Sequence, residues 1–186
     1  MKNLVGNWEF TPVYIFESPE YATVQSGSDV NGNGDTAGDR VIYNPHGVAG
    51  TGSGVTPLMN SAGEVVAYLA TNPTAQYIQG GKYALATTPR NTLALPRIDT
   101  FNLGVVKRFN ITERQSVEFQ AQAQNIFNHP QYVPGYISDI QPASTAVTTA
   151  GPTHDFLLPQ SGSFNQPNLV FSNHPRTMVL VLKYIF

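Results

Sequence analysis

The chain has 186 residues, and only 12% are charged: ten Lys and Arg against twelve Asp and Glu, for a net charge of −2. A soluble globular domain carries roughly 25% charged residues, and without a basic surplus there is no electrostatic footprint for a nucleic-acid partner. The absence of Cys excludes disulfide scaffolds, thiolate metal sites and cysteine nucleophiles, while no apolar run reaches the roughly 18 residues of a membrane-crossing helix.

From Leu4 to Phe16 the pattern alternates. Gly6, Trp8, Phe10, Tyr14 and Phe16 share one face, and Asn7, Glu9 and Thr11 share the other. This predicts a strand over about 4–16, with Pro12 marking an edge, a bulge or a strand end. The first nine residues lack the apolar core of a signal peptide. Residues 17–97 then read as one long loop rich in Gly, Pro, Asn, Ser and Thr. Within it, Asp29, Asn31, Asn33 and Asp35 offer oxygens at alternate positions, with Gly34 sixth, like the first half of a calcium loop. The twelfth position holds Arg40, so Asp39 is the nearest substitute for the missing carboxylate. Calcium is the only cofactor the sequence suggests. The same residues also suit a polar loop tip built from turns. Gly50 to Gly54 lacks the Lys of a phosphate loop and reads as flexible loop.

The next predicted strand covers about 98–111. Phe101, Leu103, Val105 and Phe109 lie on one face, joined by Lys107 near the end; Thr100, Asn102, Gly104, Arg108 and Asn110 lie on the other. A Lys at the middle of a bilayer costs about 2–4 kcal/mol, and near the interface almost nothing, so Lys107 is expected close to an interface with its stem snorkelling. Asn110 to Gln115 is a short polar link, and the two strands beside it read as a hairpin. The strand over about 115–127 has the strictest alternation. Ser116, Glu118, Gln120, Gln122 and Gln124 oppose Val117, Phe119, Ala121, Ala123 and Phe127. A helix would mix these two sets on every side.

A second long loop, 128–175, precedes the last predicted strand, about 176–186. Met178, Leu180, Leu182, Tyr184 and Phe186 form one face, and Thr177, Val179, Val181, Lys183 and Ile185 the other. The connections therefore run long, short, long. Outer-membrane barrels alternate short periplasmic turns with long extracellular loops, which puts both long loops outside and the C-terminus in the periplasm. The predicted fold class is all-β: an antiparallel meander of about four transmembrane strands, an incomplete segment of a larger barrel. Sheet edges cannot stay open in lipid and the smallest barrels use about eight strands, so further strands are expected upstream in a longer protein. The four His (His46, His129, His154 and His174) have no metal spacing. No Gly-x-Ser-x-Gly, His-Glu-x-x-His or phosphate-loop motif occurs, so no enzyme is expected.

Asn125-Ile-Phe-Asn-His-Pro-Gln-Tyr132 resembles a recurrent signature in the last strands of TonB-dependent outer-membrane transporters of the Oar-like group. Gly6-Asn7-Trp8, Gly38-Asp39-Arg40, Phe164-Asn165-Gln166-Pro167 and the final Tyr184-Ile185-Phe186 are similar to features of the same group. The resemblance implies a 22-stranded barrel with an N-terminal plug, energised through TonB and importing a large or scarce solute. This chain corresponds to about its last four strands, without plug or signal peptide. The set Leu180, Leu182, Tyr184 and Phe186 resembles the signal read by the outer-membrane barrel assembly machinery. Expected partners are thus outer-membrane lipid, upstream strands and plug, that machinery, and TonB through the plug. The competing reading is a soluble or secreted β-sandwich binding module, for example for carbohydrate, whose apolar faces turn inward.

Overall fold

The computed structural model describes residues 5–133 and 152–186. They fall into two compact units, one of residues 5–18, 97–133 and 172–186, the other of residues 19–96 and 152–171.

The first unit is a four-stranded antiparallel sheet. Its long strands are β1 (Trp8–Glu17), β9 (Ile98–Asn110), β10 (Ser116–Gln124) and β13 (Thr177–Ile185), ordered β1-β9-β10-β13. Alternation places the side chains, and register lines them up across the strands. One face carries the rows Trp8–Lys107–Phe119–Leu182, Phe10–Val105–Ala121–Leu180 and Pro12–Leu103–Ala123–Met178. The opposite face carries Thr11–Gly104–Gln122–Val179 and the row Arg108–Glu118–Lys183. Each predicted strand is present, and the sheet has the predicted order. A two-residue pair, β11 (Tyr132–Val133) with β12 (Ser172–Asn173), completes the unit.

Two boundaries differ from expectation for local reasons. The third long strand stops at Gln124 instead of 127 because Asn125 adopts φ +50, a left-handed conformation that Asn tolerates and that turns the chain out of the ladder. Phe127 nevertheless stays with the apolar face, its ring 5.6 Å from that of Phe101. The first strand begins at Trp8, following Asn7 at φ +61. Pro12 sits mid-strand without breaking the pairing. Arg108 N–H donates to Asn7 C=O at 3.1 Å. Backbone groups alternate sides along a strand, so odd residues of β1 bond β9 and Pro12 points to the open edge, where its missing N–H removes nothing from this sheet.

The second unit lies where the sequence reads as loop. It contains β2 (Tyr21–Ala22) paired with β8 (Leu93–Ala94), and β3 (Ile42–Tyr43), β7 (Ala75–Ile78) and β4 (Val48–Ser53) in that order. A separate hairpin comprises β5 (Val55–Met59) and β6 (Val65–Ala70). Val24, Val41, Tyr77, Phe156 and Leu157 are at most 2% exposed and form its core. The rings of Phe156 and Phe171 lie 4.9 Å apart, and those of Tyr77 and Phe164 5.9 Å. The buried Tyr77 hydroxyl donates to Thr92 C=O at 3.1 Å, and burial raises its pKa above the usual tyrosine value. The part of the predicted loop 128–175 that covers 134–151 lies outside the described residues.

Candidate functional site

The sheet offers two chemically opposite surfaces. On the apolar face the central rows hold only apolar side chains, and aromatic rings gather at the two ends. Trp8, Phe109, Tyr184 and Phe186 lie toward the short turn; Tyr14, Phe16 and Phe101 lie toward the long connections. Leu180 is 64% exposed, Leu182 72% and Phe186 91%. A sandwich would bury this face. The rings of Tyr184 and Phe186 stack at 6.0 Å, so the four residues expected as the assembly signal form one exposed apolar ridge.

Lys107 is the one cation in these rows, and it is only 2% exposed. Its ammonium lies 4.7 Å from the Trp8 ring centroid and 5.1 Å from that of Phe109, and it donates to the Gly6 carbonyl. The charge is thus held under aromatic faces, near the short-turn end of the strand, where ring quadrupoles attract it.

On the polar face, Glu118 binds both neighbours in its row. It accepts from Arg108 Nε at 3.1 Å and Nη2 at 2.5 Å, and Lys183 Nζ lies 3.7 Å from its other oxygen. Gln120 Nε2 donates to Glu118 as well, at 2.6 Å. One carboxylate between two cations fixes three strands laterally. It is a polar wall, laced by these ion pairs and amide bonds.

At the long-connection end, the motif beginning at Asn125 is a hydrogen-bonded clamp. Asn125 Nδ2 donates to the carbonyls of His129 at 2.8 Å and His174 at 2.9 Å, while its Oδ1 accepts from His129 N–H at 3.0 Å. Asn125 N–H donates to Asn102 Oδ1 at 2.9 Å. Asn128 Oδ1 accepts from Arg176 N–H at 3.0 Å. Gln131 N–H donates to Asn173 Oδ1 at 3.0 Å, and its side chain engages the backbone of Asp99. The motif therefore joins the top of β9, the top of β10 and the start of β13. An open cavity of about 410 Å³ lies beside it, lined by Ile15, Thr100, Asn102, Gln131 and Thr177 among others.

The five residues read as a calcium loop do share one loop, but their oxygens serve the loop's own backbone. Asp29 accepts from the N–H groups of Gly32, Asn33 and Gly34 at 2.7, 3.0 and 3.0 Å. Asn31 accepts from Asn33, Asn33 from Asp35, and Asp35 from Ala37. Asp39 is buried and accepts from Val30 N–H at 2.7 Å and Asn31 Nδ2 at 2.8 Å. Gly34 sits at φ +86, the turn its position requires. Successive side-chain turns of this kind shape a loop without a cation. Among the described residues, no group of three or more His, Asp or Glu is arranged to hold a metal. Arg40 Nη1 donates to Thr88 C=O at 2.9 Å, so the Gly38-Asp39-Arg40 motif pins this unit together.

Sequence reasoning recognised the Asn125 motif but not its bonding; the left-handed Asn residues and the amide of Gln131 were its signals. It also missed the β5–β6 hairpin, although two apolar runs flank Asn60-Ser-Ala-Gly-Glu64, a hairpin pattern.

A one-layer antiparallel sheet with an apolar face bounded by aromatic rings and a polar, ion-paired face is the wall of a transmembrane β-barrel. The chain belongs to the family described as outer membrane beta barrel domain, which matches residues 1–164. No curated protein and no solved structure matches it. The protein is accordingly a bacterial outer-membrane protein, with the apolar face toward lipid.

Proposed function

We propose that this chain is the C-terminal part of the barrel of a TonB-dependent outer-membrane transporter of the Oar-like kind. The whole protein takes up a large or scarce solute and performs no catalysis. The observation that carries the reading is the sheet itself: β1-β9-β10-β13 in chain order, with the only short turn at one end and the long connections at the other. By the usual asymmetry of such barrels, the short turn and Phe186 face the periplasm and the folded connections face outward. The Asn125 clamp, found where the resembling signature occurs, supports the same assignment.

The two edges of the sheet require partners, because unpaired backbone groups do not persist in lipid. β1 and β13 run antiparallel to each other, so an even number of further antiparallel strands closes the ring. Upstream strands of a longer polypeptide are the proposed source, with a plug that contacts TonB and with the assembly machinery reading the terminal ridge.

Cysteine labelling tests the orientation, and these 186 residues contribute no native Cys. In intact cells a membrane-impermeant maleimide should label Gly63→Cys and spare Glu113→Cys. The opposite pattern would overturn the orientation. Transport is tested by solute uptake in cells with and without TonB; uptake independent of TonB would remove the transporter reading and leave the barrel.

A further inference from the structure

Asn31-Gly32 and Asn33-Gly34 are the only Asn-Gly pairs in the chain, and they follow one another in a single loop. In such a pair the bare glycine lets its backbone nitrogen reach the Cγ of the preceding Asn, which makes that side-chain amide thermolabile. The two pairs share much of their setting. Both Asn residues are exposed. Each Oδ1 accepts from the N–H two residues on, at 2.9 Å for Asn31 and 2.8 Å for Asn33. Such a donor also steadies the charge that gathers on the oxygen when the carbon is attacked. Both glycines have a positive φ, +76 and +86.

Three features separate them. Asn31 Nδ2 donates to Oδ1 of the buried Asp39 at 2.8 Å, whereas no group among the described residues accepts from Asn33 Nδ2. Asp29 holds the Gly32 N–H at 2.7 Å and the Gly34 N–H at 3.0 Å. The Tyr83 ring lies where a Cβ on Gly32 would stand, while a Cβ on Gly34 would meet nothing within 4 Å among the described residues.

We infer that Asn33 is a site of spontaneous deamidation and that Asn31, beside it, is protected. The Gly34 nitrogen bonds to Asn33 Cγ, the Cγ–Nδ2 bond breaks, and ammonia leaves with the proton that Gly34 gives up. The succinimide left behind adds water at either carbonyl and opens to Asp or to isoaspartate. At Asn31 the Asp39 carboxylate draws on an amide hydrogen and leaves electron density on Nδ2, which makes it the poorer leaving group and holds Cγ in place. Tyr83 covers the glycine from which attack must come. Either product at residue 33 adds a negative charge beside Asp29 and Asp35, and isoaspartate also lengthens the backbone by a methylene, which moves Gly34 off Asp29.

The test warms outer-membrane vesicles carrying the full-length protein at mildly alkaline pH, beside a sample unfolded in guanidinium chloride. Mass spectrometry of a proteolytic fragment spanning both residues reads the conversion of amide to acid at each position, and an isoaspartate methyltransferase labels the isomerised product. In the folded protein Asn33 should convert about tenfold faster than Asn31, the factor that one charge-assisted hydrogen bond is worth, and the label should fall on residue 33. In guanidinium chloride the two should convert at nearly equal rates. Conversion at neither residue, a rate at Asn31 that equals or exceeds that at Asn33 in the folded protein, or a difference that persists in the unfolded chain would each overturn the inference.

Discussion

Gln131 lies against Asp99 as a neighbouring strand would: its Oε1 accepts from Asp99 N–H at 2.7 Å and its Nε2 donates to Asp99 C=O at 2.6 Å. One side-chain amide thus continues the ladder beyond the point where Asn125 turns the chain away. Removing it leaves a backbone donor and acceptor unsatisfied, a loss of about 1–3 kcal/mol. Gln131→Ala should lower the temperature at which the complete barrel unfolds in a heated detergent gel. Gln131→Glu, which turns a carboxylate oxygen onto the Asp99 carbonyl in place of the amide donor, should lower it as well. An unchanged transition in both would make the clamp incidental.

Asn125 should be the least replaceable residue of that motif, because its amide bonds and its positive φ act together. Asn125→Gly keeps the backbone and loses the bonds; Asn125→Ala loses both. The alanine variant should therefore be the less stable, by a further ~1 kcal/mol of left-handed strain. The reverse order in the same assay would place the constraint elsewhere.

How much of this was legible without coordinates follows from physics. A sheet one layer thick, with lipid on one side and water on the other, writes a period of two into its sequence. Ser116 to Gln124 could hardly be read otherwise, and Lys107 announced an interface because hydrocarbon forbids it elsewhere. The second unit has no such imprint. Pairs such as Tyr21–Ala22 with Leu93–Ala94 are too short to show a period, and its shape comes from side chains such as Asp29, Asn33 and Asp39 bonding backbone. Those residue types look the same in a turn, a calcium site or an irregular loop.

Tyr77 gives the second unit an alkaline limit. Its pKa is raised by burial above the value of 10.0 it has when unfolded, so the folded state holds the proton more tightly. The associated stability is complete below that unfolded value and is lost as the pH climbs toward the folded one. Protease nicking within residues 19–96 should rise as the pH climbs above about 10. In Tyr77→Phe this rise should shrink. An equal rise in the variant would assign the effect to other groups.

Calcium should not alter the loop from Asp29 to Asp39, since its own N–H groups already occupy the oxygens. Calorimetric titration of the protein with calcium should give no saturable heat. A heat lost on Asp29→Ala would reinstate a cation at this place.

Deleting Phe186, which is 91% exposed at the tip of the terminal ridge, should reduce the folded amount of the full-length protein in the outer membrane while leaving its synthesis unchanged. Normal assembly would show that the ridge is not read as a signal.

Side-chain direction can be measured most directly by spin labels placed singly from Val117 to Gln124 in the complete protein in lipid. Oxygen, which partitions into the bilayer, should relax labels at 117, 119, 121 and 123, and a water-soluble nickel complex those at 118, 120, 122 and 124. A profile with no two-residue period, or with the odd positions shielded from both reagents, would mean that this face meets protein instead of lipid.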